Sequence, residues 1–172
     1  DLDTAQVAFQ AAQTGHLVLA TLHTNDAPGT ITRLVDLGVP AYLVASSVIG
    51  VLAQRLVRRV CACHVSAPDG SVLANGCEAC GHTGYRGRLA VHELMRLTAP
   101  VRRAVREQAD TDELRELARQ QGLRTLHEDG MRKVAAGLTT REELERIVSP
   151  VDEPRAPVPH ARQEALPRVS GG

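Results

Sequence analysis

Tryptophan is absent from this chain of 172 residues, and its aromatic residues are only Phe9, Tyr42 and Tyr85. That poverty removes the stacked platform on which single-stranded nucleic acids are held. Net charge is lacking too, because 20 Lys and Arg balance 20 Asp and Glu. A nucleic-acid-binding face usually shows a basic excess, so no nucleic-acid partner is expected. Long apolar runs are missing as well. The stretch around residues 43–52 is broken by Ser46, Ser47 and Gly50 and is too short to cross a bilayer. The opening DLDTAQ is neither basic nor followed by an apolar core, so no secretory signal is expected.

The scarcest residue is lysine, with Lys133 the only one. A Walker A loop needs Gly-Lys followed by Ser or Thr to cradle phosphates, and no Gly-Lys pair occurs. Nor does an acidic residue follow a strand in the manner of a Walker B motif.

What is present divides into four stretches. Residues 1–60 carry helical and strand patterns, and the apolar run among them suits an α/β sheet. DLDTAQVAFQAAQTG reads as a helix ended by Gly15. HLVLATLH, residues 16–23, reads as a strand covered on both faces in a parallel or mixed sheet. A second helix follows, capped by Asp26, with Pro28 in its first turn and Gly38 at its end. Pro40 opens a third helical piece to about Ser47, and GVLAQRLVRRV reads as a strand. Residues 61–88 hold all four cysteines and little apolar periodicity. Residues 89–149 read as a strand, RLAVHELMRL, followed by helices from about Ala99. Asp110 with Glu113, and Thr140 with Glu143, have capping-box spacing, while Gly122 and Gly137 mark helix ends. Met95 and Met131 read as core fillers. Residues 150–172 hold five of the nine prolines and read as a disordered tail.

Cys61 with His64 forms a CxxH and Cys77 with Cys80 a CxxC, separated by a loop of twelve residues. Two such pairs can close a tetrahedral zinc site, because a turn with two intervening residues aims both ligand atoms at one ion. Gly70, Gly76, Gly81 and Gly84 supply backbone freedom for those turns. Cys63 is the alternative to His64 for the fourth corner. Disulfides would require an oxidising compartment, and buried thiols would require more apolar neighbours than this stretch offers. With four protein ligands and no open position, the site is expected to be structural. Arg55, Arg58, Arg59, Arg86 and Arg88 surround it, either as a solvated or ion-paired rim or as a contact for a neighbouring subunit or an acidic partner.

His16 and His23 flank the 16–23 run. Ligands of open α/β sheets gather beyond the carboxyl ends of strands, which favours His23, with Thr21, Thr24 and Asn25 beside it. A histidine there can equally be solvated and structural.

The string TGHLVLATLHTNDA resembles the His box of the secretion-superfamily ATPases that power type II secretion and type IV pilus assembly. The likeness continues through AQRLVRRVC, GCEACGHTGYRGRLAVHELM and GLTTREELERIV, covering about residues 1–149. It implies the C-terminal portion of a RecA-like ATPase domain with a small zinc-binding insertion and a C-terminal helical bundle. It implies ATP and Mg²⁺ as ligands, zinc as a structural ion, and a homo-hexamer on the cytoplasmic face of the inner membrane that drives a platform protein. His23 matches the residue that approaches the γ-phosphate and His16 its upstream companion. Cys61, Cys77 and Cys80 match zinc ligands, whereas His64 stands where the family has a cysteine. Related retraction ATPases lack the cysteine module, so its presence points to the export or assembly branch. The phosphate-binding motifs would precede Asp1, so a C-terminal fragment, inactive alone, is expected. A free-standing zinc adaptor for protein partners is the rival reading.

Overall fold

The computed structural model describes residues 1–68 and 71–148; the tail from Pro150 and the turn residue Gly70 lie outside these. Helix α1 (Leu2–Gln13) begins where the Asp1 carboxylate accepts the Thr4 amide at 2.8 Å. Helix α2 (Ala27–Asp36) begins at Asp26, whose carboxylate accepts the Gly29 amide, also at 2.8 Å. Pro28 lies in its first turn, where a missing N–H costs nothing. The chain turns out of it at Gly38, whose φ of +98° favours glycine. Helix α3 (Ala41–Ser47) follows Pro40.

Strand β1 (Gly50–Val60) runs up to the cysteines, and β4 (Tyr85–Arg96) returns antiparallel along it. Between them a small excursion holds the paired β2 (Val65–Ser66) and β3 (Val72–Leu73) and a 3-10 turn at Glu78–Cys80. Helices α4 (Ala99–Arg106), α5 (Thr111–Gln120), α6 (Leu126–Ala135) and α7 (Arg141–Ile147) complete the described chain.

The β1–β4 ribbon alternates as half-buried strands must. Ala53, Val57, Val91 and Met95 face the core, where they join Ile31, Val44, Val101, Leu114 and Leu144. Fully burying the Val, Ile, Leu and Met side chains among these stabilises by roughly 1.5–3 kcal/mol each. Leu52, Leu56 and Leu94 lie on the opposite, exposed face. Met95 is a core filler as expected, and Met131 packs partly buried against the same cluster. On its outer side β4 is met by α6: Lys133 Nζ donates to the Ala90 carbonyl at 2.7 Å, and the His92 amide donates to Asp129 at 2.9 Å. Lys133 and Asp129 are also paired with each other. Among the described residues no helix is long and apolar enough to cross a membrane.

Three expectations need correction. Residues 16–23 form no strand, and Leu17 and Leu19 are 78% and 88% exposed rather than covered. An extended run becomes a strand only when a neighbour takes its backbone groups, and among the described residues none pairs with it. Among the described residues the sheets are two antiparallel two-stranded ribbons, not a parallel or mixed sheet. Among the described α-helices the reciprocal capping box lies at Thr125 and Glu128. Asp110 and Thr140 do cap α5 and α7, but the Glu143 carboxylate turns to Arg58 and Arg146 instead of back to its cap.

Candidate functional site

The cysteine excursion is assembled by short local turns. β1 delivers Cys61 buried at its end, and the Cys61 amide donates across to the Gly84 carbonyl at 2.9 Å. The His64 amide then closes a turn onto the Cys61 carbonyl at 3.1 Å, bringing Cys63 inward. On the other arm Cys77 heads the 3-10 turn, and the Cys80 amide donates back to the Cys77 carbonyl at 3.1 Å. Gly84, with φ +75°, passes so close to the Ala74 carbonyl that any Cβ would collide with it.

These turns bring the sulfurs of Cys61, Cys63, Cys77 and Cys80 within 4.8 Å of one another. Cys63 Sγ and Cys80 Sγ are 3.9 Å apart. Thiolates bonded to a tetrahedral zinc at its usual bond length stand about 3.8 Å apart, so the donor set fits such an ion. Four soft sulfurs suit zinc or an iron–sulfur centre and do not suit magnesium or calcium. His64, the sequence's first choice for the fourth corner, is outside this group. Its Nδ1 lies 3.0 Å from the Cys61 carbonyl oxygen. Cys63, the alternative, occupies the fourth position.

Electrostatics differ across the cluster. The Cys77 amide, with help from the Gly84 amide, points at Cys80 Sγ and holds its thiol down at about 6, against an opposing effect of burial. Burial, with the surrounding thiols, pushes Cys63 up to about 12. A metal ion bonds to thiolates, so binding one would release the proton of Cys63 and of any other ligand still protonated. Affinity for a metal must rise with pH for that reason.

The base of the excursion is fastened to α7. Glu143, with no side-chain exposure, accepts the Arg58 amide and Arg58 Nε at 2.9 Å, and Arg58 and Arg146 both pair with it. Arg58 also lies 4.1 Å over the Tyr85 ring. Burial alone would push the Glu143 carboxyl up, but the two guanidinium groups outweigh it and hold the group at about 2. Arg58 is thus part of an ion-paired rim, one of the two readings of the arginine cluster.

His16 and His23 are both exposed. His16 Nδ1 lies 3.0 Å from Thr14 Oγ1 and 3.3 Å from the Ala11 carbonyl. From Leu17 through His23 the chain makes no hydrogen bond to the described residues. Beyond His23 the situation reverses. Thr24 Oγ1 is 2.7 Å from Thr30 Oγ1, and Arg55 donates to the carbonyls of Thr24 and Asn25. Asp26 pairs with Arg115 of α5 at 2.8 Å. Glu93, 3% exposed, accepts the Ala27 amide at 2.7 Å and the Leu126 amide at 3.2 Å, bridging the starts of α2 and α6. Burial raises its carboxyl above the ordinary range despite those two amides. Sequence reasoning missed Glu93, although a carboxylate at the inward position between Val91 and Met95 was a readable signal.

The cysteine excursion and the histidine loop therefore share one ribbon, with Arg55 and Cys61 separated along β1 by about 20 Å of strand. A family model described as "Type II/IV secretion system protein" matches residues 1–146, and the chain belongs to that family. Among its relatives is the type II secretion system protein HxcR of Pseudomonas aeruginosa. It is 55% identical over 148 residues, covering 86% of this chain and 31% of that protein. The type IV pilus assembly ATPase PilB of Thermus thermophilus is 45% identical over 163 residues, covering 84% of this chain and 18% of that protein. The crystal structure of the pilus retraction motor PilT with bound ADP superimposes with a TM-score of 0.62 at 26% identity, over 85% of this chain and 36% of that one. The chain thus spans about a third or less of the length of these relatives.

Proposed function

We propose that this chain is the carboxyl-terminal part of a hexameric ATPase that powers type II protein secretion or type IV pilus assembly. Hydrolysis would drive a platform protein from the cytoplasmic face of the inner membrane. The observation that carries the reading is the unbroken match over residues 1–146, which takes in the histidine loop, the ribbon and the cysteine excursion together. The cysteine excursion supports the assembly or export branch.

In this reading His23 presents its imidazole to the γ-phosphate of ATP, with His16 at the start of the same run. The exposure of His23 supports such a role, since no described residue is hydrogen-bonded to the ring. Stabilising charge as it develops on a transferring phosphoryl group is the main work of residues around it. Mg²⁺ and the phosphate-gripping lysine would come from residues outside this chain, because Lys133 is committed to Asp129 and Ala90. The 172 residues alone are inactive. Cys61, Cys63, Cys77 and Cys80 would hold a structural zinc ion, which supplies folding free energy to a stretch with little apolar core.

The test is phosphate release by the protein expressed at its relatives' length. His23→Ala should lower kcat on the order of a hundredfold with zinc content unchanged, and the 172-residue chain should release none. Full activity in His23→Ala would return the histidine to a structural role. Zinc content of Cys63→Ser and His64→Ala separates the ligand candidates: loss in the first and retention in the second is expected, and the reverse would reinstate His64.

A further inference from the structure

The hydrogen bonds around residues 16–27 change abruptly at one position. Leu17–His23 make no hydrogen bond to the described residues, although Leu22 packs against the core, whereas each of the next four residues is hydrogen-bonded. Two of those grips come from the inward face of the ribbon and are opposite in charge. Arg55 of β1 reaches the carbonyls of Thr24 at 3.1 Å and Asn25 at 3.4 Å. Glu93 of β4 takes the Ala27 amide at 2.7 Å. Arg55 is cross-strand partner to Val91, and Glu93 lies two residues further along β4, so the two are diagonal neighbours on one face. A cation on carbonyls and a carboxylate on an amide match the polarity of the backbone between them.

We propose that Arg55 and Glu93 are positioning residues for His23, forming a two-point clamp that fixes the backbone immediately after it. This rests on the role of His23 proposed above. Neither side chain needs to touch the nucleotide. With Thr24 anchored, the imidazole one residue upstream can sweep only a short arc. With the clamp open, α2 keeps its Asp26 cap but the loop leaves the ribbon. Glu93 also holds the first amide of α6, so the clamp ties the position of His23 to the helices that follow β4.

The test is a set of variants in the protein at its relatives' length, read by ATP turnover. Misplacing a reacting group by ~1 Å costs on the order of a hundredfold. Arg55→Ala should therefore lower kcat roughly ten- to a hundredfold while KM for ATP stays within about twofold. Arg55→Lys, which keeps a donor in reach of Thr24, should restore most of the loss. On a His23→Ala background Arg55→Ala should cost nothing more, because it acts through the missing ring. Should Arg55→Ala fail to fold, Glu93→Gln carries the same comparison, since it keeps side-chain length and loses one of two amide contacts. Unchanged kcat in Arg55→Ala, or losses that multiply with His23→Ala, would overturn the clamp. A silent His23→Ala would instead overturn the role of His23 itself, so the two failures are told apart. A second readout is amide exchange of the 172-residue chain. Arg55→Ala should speed exchange at Ala27 and leave α4 and α5 unchanged, and equal protection at Ala27 would also refute the clamp.

Discussion

Replacing Glu143 with glutamine should destabilise the fold at neutral pH and do almost nothing in acid. The carboxylate has no exposed side-chain surface and gathers the Arg58 amide and two guanidinium groups. Its carboxyl is held at about 2 against an ordinary value of 4.5, a difference worth roughly 3 kcal/mol at 1.36 kcal/mol per pKa unit. Arg58 and Arg146 are themselves 44% and 56% exposed, so water screens their side of the pairs and about 1–2 kcal/mol remains. Because the folded value is depressed, this stability is fully present above the unfolded carboxyl value. It is lost as pH falls from about 4.5 toward 2. Urea denaturation of the native chain and Glu143→Gln, followed by far-UV circular dichroism from about pH 7 to about pH 2.5, measures the gap between them. Chelator in every sample keeps metal release out of the comparison. The expected gap is about 1–2 kcal/mol at neutral pH, closing at the acid end. A gap of the same size at every pH would show that Glu143 contributes shape rather than charge, and would refute the reasoning.

Gly84→Ala should cost about 2–4 kcal/mol, because the new methyl meets the Ala74 carbonyl at a φ that disfavours side chains. The variant should also retain less zinc after gel filtration, and full retention with an unchanged urea midpoint would contradict it. Thr125→Ala removes the capping box of α6 and should cost about 1 kcal/mol in the same assay. Serine at that position should recover most of the loss.

Elements written in contiguous residues were legible without coordinates. Helix α2 is the clearest case, since Asp26, Pro28 and Gly38 mark its beginning and end through interactions no more than a few residues long. The 16–23 run was misread because a strand is a property of two segments. Its apolar residues show only that a neighbour would be welcome, and no strand among the described residues pairs with it. At the cysteines, spacing favoured His64 over Cys63, but the turn closed by the His64 amide sends Cys63 toward Cys80 and His64 toward the Cys61 carbonyl. Glu93 and Glu143 were the hardest to anticipate. Their partners lie 66 and 85 residues away: the inward place of Glu93 on β4 could mark it as unusual, but no local pattern names the partner.

The meeting of α6 with the outer side of β4 has a consequence for how this ribbon can grow. Strand-edge groups left open are templates for a further strand, in the same chain or another. Here the Ala90 carbonyl and the His92 amide are already taken by Lys133 and Asp129. A newcomer on that flank would have to break an ion pair and strip both charges of their partners before gaining its first ladder bond. The ribbon is thus stoppered on one flank by the chain's sole lysine. Neutralising that lysine would free the Ala90 carbonyl but leave Asp129 on the His92 amide, so half of the stopper would stay in place.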